Sequence, residues 1–220
     1  MTATRKSIIG EFETLDALIA GASIARFGDG ELRLAMGGSL GHQIANKRLR
    51  EELLHILNNK TKCLVGVPHV HPDSPRKDNW RNYVDGEYRA LYSVTKQYHS
   101  SFITRPDSAP WIDTPEYWAK IPFLWEGKNV VIVRGETSRK SFQEKHMTGA
   151  TSVREVLGPA EHAYEHIDRI EAECAGADVA IIGLGATATS LAWRLAEKGQ
   201  QALDLGHMGL FMKRRGLLNV

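Results

Sequence analysis

Short, continuous apolar runs, recurring from one end of the chain to the other, restrict its fold more than any other feature. Ser23-Ile24-Ala25-Arg26-Phe27, Cys63-Leu64-Val65-Gly66-Val67 and Asn129-Val130-Val131-Ile132-Val133 have strand length, as do residues 178–182 and 202–205. A strand wetted on one face alternates polar and apolar residues. Runs that do not alternate, such as 130–133 and 179–182, suit a sheet covered on both faces, and such sheets are parallel. Helical segments lie between the runs. Asn46 is placed to cap a helix with Leu49, Leu53, Ile56 and Leu57 on one face. Residues 30–36 read as a short helix stopped by Gly37-Gly38, and 78–98 as a long one. Another starts at Thr114-Pro115, and two more span 160–174 and 187–198. Strands at 102–104 and 152–157 and a helix after the loop at Gly135 complete the alternation. The expected fold is α/β, a mostly parallel sheet with helices on both faces. One domain over residues 1–220 is expected, a length that a single core can fill.

In such a sheet ligands bind beyond the carboxyl ends of the strands. The first loop there reads Arg26-Phe27-Gly28-Asp29-Gly30-Glu31. In an extended or turning backbone residues i and i+2 point the same way, so Asp29 and Glu31 can converge on one hard cation, with Gly28 and Gly30 admitting a ligand close to the backbone. The same letters also describe a strand-to-helix turn with solvated acids. Gly183-Leu184-Gly185-Ala186-Thr187-Ala188-Thr189 follows a strand and opens a helix, and Asp204 ends the next strand. This matches a dinucleotide fingerprint and keeps an NAD-dependent oxidoreductase open as a reading, although that unit normally begins its fold and here lies near the end. A weaker reading is that amides at Gly185 with the Thr187 and Thr189 hydroxyls hold a phosphate or sugar hydroxyl. Gly135-Glu136-Thr137-Ser138-Arg139-Lys140 has an anion-binding composition: Ser138 or Thr137 caps a helix and Arg139 offers a fork to a diphosphate. Arg105 is a similar single cation after a short strand, and a surface arginine is its simpler reading. Asp204 and His207 are placed to reach the same crevice as Asp29 and Glu31, where a histidine is suited to proton transfer or phosphate binding, a satisfied structural histidine being the other reading. His69-Val70-His71 has the spacing of some metal hydrolases, but no further ligands cluster with it, and a polar loop is the simpler reading.

Composition narrows the partners. The net charge of +2 across 220 residues gives no basic field that demands nucleic acid. Residues 1–10 carry Arg5 and Lys6 with no apolar segment behind them, and no stretch approaches a membrane span, so a cytoplasmic location is expected. Lys213-Arg214-Arg215 beside Leu210, Phe211 and Met212 reads as a solvated terminus or as a peripheral contact with a membrane or anionic acceptor. Cys63 and Cys174 are expected as buried thiols, with no disulfide.

Taken in order, Arg26-Phe27-Gly28-Asp29-Gly30-Glu31, Thr104-Arg105-Pro106, Gly135-Glu136-Thr137-Ser138-Arg139, the glycine loop at 183–189 and Ala202-Leu203-Asp204-Leu205-Gly206-His207 resemble the bacterial GT-D-fold glycosyltransferase family over nearly the whole chain. The resemblance implies a Rossmann-like sheet and a metal-binding D-x-E motif, here Asp29 and Glu31, used with a nucleotide-sugar donor such as a UDP-sugar and a glycan or glycoconjugate acceptor. It implies a manganese or magnesium ion, in keeping with an all-oxygen ligand pair. The remaining motifs are then expected around the donor: Arg26, Gly28, Arg105, Ser138, Arg139, Gly185, Thr187, Thr189 and Asp204 for the nucleotide and phosphates, and Glu136 or His207 as the base. After Gly-His the family continues with an acidic segment, whereas this chain runs Met208-Gly209-Leu210-Phe211-Met212-Lys213, so acceptor handling or the base is expected to differ. A non-catalytic nucleotide-sugar-binding module on the same fold is the third reading.

Overall fold

The computed structural model describes residues 7–138 and 141–218. Helix α1 (Glu11–Ile19) precedes β1 (Ile24–Arg26); α2 (Asp29–Ala35) and α3 (Lys47–Asn58) lead to β2 (Leu64–Val67); α4 (Lys77–Val84) leads to β3 (His99–Ser100). Helix α5 (Pro115–Lys120) precedes β4 (Asn129–Gly135) and β5 (Ser152–Gly158), followed by α6 (Ile167–Glu173), β6 (Val179–Gly183), α7 (Thr187–Glu197), β7 (Gln201–Asp204) and α8 (Met208–Arg214). All seven strands pair in parallel, in the order β3-β2-β1-β7-β6-β4-β5. The apolar strands feed two cores because successive side chains point to opposite faces. Val131, Val133, Ala180, Ile182 and Ala202 pack against α3, α6 and α7, while Val130, Ile132, Val179, Ile181 and Leu203 pack against α1, α5 and α8. Burial of each Leu or Ile in these layers contributes about 1.5–3 kcal/mol. Asn46 caps α3 as expected, its side chain accepting from the Leu49 amide. Cys63 and Cys174 are buried thiols, and burial pushes the former up to about 11.

Four local expectations are corrected. The helix expected over 78–98 stops at Val84, because Asp85-Gly86 follows and glycine is the weakest helix former after proline; a 3-10 turn, Glu87–Leu91, and a loop take the rest. Residues 102–104 are not a strand. The strand is His99–Ser100, and the Ser100 hydroxyl accepts the Phe102 amide, turning the chain into the 3-10 helix Ser101–Thr104. No helix begins at Thr137 or Ser138; among the described residues only a 3-10 turn, Glu144–His146, lies between β4 and β5. Residues 160–174 are a 3-10 turn running into the shorter α6. The basic carboxyl-terminal segment is α8, with Met208 and Met212 buried and Arg215 paired to Asp113 and set 5.3 Å from the Trp118 ring. Its apolar residues serve the core, leaving Lys213 and Arg214 exposed. No helix among the described residues is long and apolar enough to cross a membrane.

Candidate active site

The loop after β1 turns directly into α2. Gly28 is extended, Asp29 is the first helical residue and Glu31 the third, so the expected extended geometry for the two acids is replaced by a helix start. The cause is local: Glu31 Oε2 accepts the Gly28 amide at 2.7 Å, and both acids complement the positive end of the helix. The pair still meets in one place. Asp29 and Glu31 line a cavity of about 310 Å³ together with Arg26, Arg105, Gly185, Ala186, Asp204 and His207. No hydrogen bond or salt bridge engages the exposed Asp29 carboxylate among the described residues. Burial, and then the nearby charges of Asp204 and Asp29, push the Glu31 carboxyl up to about 7.

Arg26 braces the floor. Its Nε donates to the Asp204 carbonyl, its Nη1 donates to Ser101 O at 2.9 Å and to Thr104 Oγ1, and its Nη2 lies 3.4 Å from Asp204 Oδ1. A guanidinium has five N–H groups, so one on Nη2 is left for an incoming oxygen. Asp204 is 5% exposed, and burial raises its pKa. It is committed to Arg26, which removes it from the ribose-binding role a dinucleotide fingerprint needs; the glycine loop moreover follows β6, deep in the chain order. Gly206 sits at φ +51, and a Cβ there would lie 2.6 Å from Arg26 Nη2, so only glycine allows the arginine this close. Arg105 holds Asp107 through two bonds of 2.8 and 2.7 Å, and Asp107 also takes Arg76 at 2.8 Å. The hydrogen bonds that Arg105 donates to Asp107, followed by the charges of Asp107, Asp29 and Glu31, raise the Arg105 pKa, which places this cation in the field of the acidic pair.

A second chamber of about 470 Å³ adjoins the first and shares His42, Gly185, Ala186 and His207 with it. Thr137, Ser138, Gly183 and Thr187 line it, and the Ser138 and Ser141 hydroxyls form a chain, 3.0 Å apart, that ends on the Gly183 carbonyl at 2.9 Å. The start of α7 therefore opens onto both chambers. Two expected site residues are not there. Thr189 is fully buried and its hydroxyl donates 2.7 Å to the Arg26 carbonyl, tying α7 to β1; it lines neither chamber. Glu136 is exposed in the turn after β4 and lines neither chamber, whereas His207 lines both. Arg139 lies outside the described residues. His69 and His71 line a different cavity. Sequence reasoning missed His42, whose Nε2 lies 3.4 Å from where a Gly185 Cβ would be, and Trp80 and Phe102 in the crevice wall. His42 comes from an irregular segment with no periodicity to mark it.

Among the described residues no three His, Cys, Asp or Glu side chains are grouped to cage a metal. The donor set fits the other common arrangement, in which one or two carboxylates hold a hard divalent cation and substrate phosphates and water complete its shell.

The chain matches known proteins over most of its length. A family model described as glycosyltransferase GT-D fold covers residues 24–210. The glycosyltransferase GlyD of Streptococcus pneumoniae serotype 4 is 30% identical over 213 residues, 89% of this chain and 26% of that protein. The probable glycosyl transferase Gly of Streptococcus gordonii is 31% identical over 219 residues, 92% of this chain and 32% of that one. The chain thus spans about a quarter to a third of these relatives. Among solved structures, a domain of unknown function 1792 described as having a distinct glycosyltransferase fold superposes with TM-score 0.82 at 28% identity, covering 99% of this chain and 84% of that one. A glycosyltransferase of the same domain type from Streptococcus sanguinis gives 0.78 at 29% identity, covering 96% and 86%.

Proposed function

The chain belongs to the GT-D-fold glycosyltransferase family, and from that premise we propose that it moves a sugar from a nucleotide diphosphate sugar, UDP-linked, to a glycan or glycoconjugate acceptor, with manganese or magnesium at Asp29 and Glu31. The observation that carries the reading is the meeting of an unengaged carboxylate, Asp29, with Glu31, Arg26, Arg105 and the start of α7 in one crevice. A divalent cation there would act as a Lewis acid on the donor diphosphate and offset the negative charge of the leaving group.

The protein's own groups supply the rest. Arg26, fixed by Asp204, Ser101 and Thr104, presents its remaining Nη2 hydrogen without having to reorganise, which is where electrostatic stabilisation is most effective. Arg105 adds positive charge at the rim, and the backbone at Gly185 and Ala186, leading into α7, would face the phosphates. Each chamber is of the size that holds a small ligand, so the diphosphate is assigned to the acidic chamber and the nucleoside to the neighbouring one lined by Ser138 and Thr187. His207, between the two, is the group we assign to accept the proton of the attacking acceptor hydroxyl.

Calorimetry with UDP, with and without manganese, tests this. Saturable binding strengthened at least tenfold by manganese is expected, and Asp29→Asn is expected to abolish the metal effect. Metal-independent UDP binding that is unchanged in Asp29→Asn would overturn the metal assignment, and no UDP binding at all would overturn the donor. A screen of UDP-sugars for hydrolysis or transfer then separates an active enzyme from a binding module.

A further inference from the structure

A cavity of about 800 Å³, larger than either chamber, opens at the same carboxyl edge of the sheet but outside the crevice. Its wall comes from the start of α1, the segment after β2 and Trp111, and includes Glu11, His69, His71 and Arg89. One aromatic partition separates the two spaces: the His69 ring lies 4.9 Å from Phe102, and Phe102 lies 5.0 Å from Trp80, both of which line the crevice.

Glu11 organises this wall. It is 4% exposed, yet its carboxylate receives Trp111 Nε1 at 2.8 Å, the Ser100 hydroxyl at 2.7 Å and His69 Nε2 at 2.9 Å. Against the opposing effect of burial, these bonds hold its pKa down to about 2. The half-buried Trp111 is consequently fixed in plane, with the His71 ring 4.2 Å away and tilted by 45°. An immobilised indole face bordered by carboxylates and a guanidinium is the surface on which a pyranose ring stacks while its hydroxyls find partners. Charge decides against a nucleotide here. Among the described residues of the lining, Glu11, Asp73 and Asp85 outnumber the one guanidinium, Arg89, so this lining repels a diphosphate.

We infer that this cavity is a distal acceptor subsite, holding against Trp111 a neutral sugar unit of the acceptor other than the one that reacts, one aromatic wall from Asp29 and Glu31. The inference rests on the transferase reading above. It is tested on the full chain labelled with 15N, the Trp111 indole resonance being identified by its loss in Trp111→Phe. The probes are three neutral disaccharides, cellobiose, lactose and N,N′-diacetylchitobiose, and separately UDP with manganese by calorimetry. A saturable shift of the Trp111 resonance with at least one disaccharide is expected. Disaccharide binding, followed in the variants through the remaining indole resonances, is expected to weaken at least tenfold in Trp111→Ala and about fivefold in His71→Ala. UDP affinity stays within twofold in both, and Trp111→Phe keeps the stacking face and most of the affinity. His71 is partly exposed, so its variant tests the site even where Trp111→Ala fails to fold. No shift with any disaccharide, or unchanged affinity in the variants, overturns the inference while UDP binding leaves the donor reading standing. Disaccharide binding in a chain that does not bind UDP overturns the acceptor role and the donor reading together.

Discussion

Replacing Glu11 by Gln removes one buried charge and almost no volume, which makes it a direct measure of how that charge is held. In the folded chain the carboxyl is brought from 4.5 down to about 2 by Ser100, His69 and Trp111, despite burial. A depressed carboxylate pKa contributes stability that is fully present above the unfolded value and is lost as pH falls through the folded one. The shift corresponds to about 3 kcal/mol, and because the side chain is almost fully buried no large discount for solvent screening applies. Glutamine keeps one acceptor oxygen but turns an N–H₂ toward three converging donors, so the substitution forfeits most of this. Equilibrium urea unfolding of both proteins from pH 7 to pH 3 is the assay. The stability difference is expected to be roughly 3 kcal/mol at pH 7 and pH 5, and less than half of that at pH 3. Other carboxylates titrate in both proteins and cancel in the difference. A difference that stays flat from pH 6 to pH 3 would refute the argument, since it would mean that Glu11 titrates alike in the folded and unfolded chain.

Four further substitutions separate the site from its scaffold. Asp29→Asn should lower unfolding stability by no more than about 1 kcal/mol, its share of the α2 dipole interaction, while manganese-dependent UDP binding falls at least tenfold in calorimetry. Thr189→Val leaves the buried Arg26 carbonyl without its donor and should cost about 1–2 kcal/mol in urea unfolding with UDP affinity within twofold; a selective loss of nucleotide binding would return Thr189 to the donor site. Gly206→Ala and Gly199→Ala both place a side chain at positive φ, about 1–2 kcal/mol each, but only the first also meets Arg26, so only it should weaken UDP binding.

The strand framework was readable because the central buried runs do not alternate, whereas the edge strand β5 does, with Leu157 exposed between buried Val156 and Gly158; the observed β1, β2, β4, β5, β6 and β7 fall within a residue or two of the expected ones. The α3 cap was readable because Asn46 acts on an amide three residues away. What escaped depends on competition that a local pattern does not display. Phe102-Ile103-Thr104 has strand letters, yet one hydroxyl, Ser100, outbids the ladder by capping Phe102. Asp29 and Glu31 were found as a pair, but their geometry was not, because helix entry at Gly28 overrides the alternation expected of an extended loop. Thr189 and Glu136 carry the right chemistry in the right motifs and still miss the chambers. In α7 the third helical residue already points into the core, and the turn after β4 carries Glu136 outward.

The placement of β7 explains why residues so far apart in the chain share one crevice. With β7 inserted between β1 and β6, the carboxyl end of the last strand stands beside that of the first, so Asp204 meets Arg26 directly and His207 follows at the same rim as Asp29. Thr189 then bonds the Arg26 carbonyl from α7, so the backbone of Arg26 is held from one side and its guanidinium from the other. A side chain fixed at both ends has little rotamer freedom left to lose when an anion arrives, and that preorganisation is what a single surface arginine lacks. Within the acidic pair on α2 the constraint is unequal, with Asp29 exposed and Glu31 buried deeper and held by backbone amides, Gly28 among them. The crevice thus combines a rigid cationic floor with a less constrained carboxylate at its rim, and that carboxylate is the one to which the proposed function gives a hydrated divalent cation, an ion that would demand its own coordination geometry.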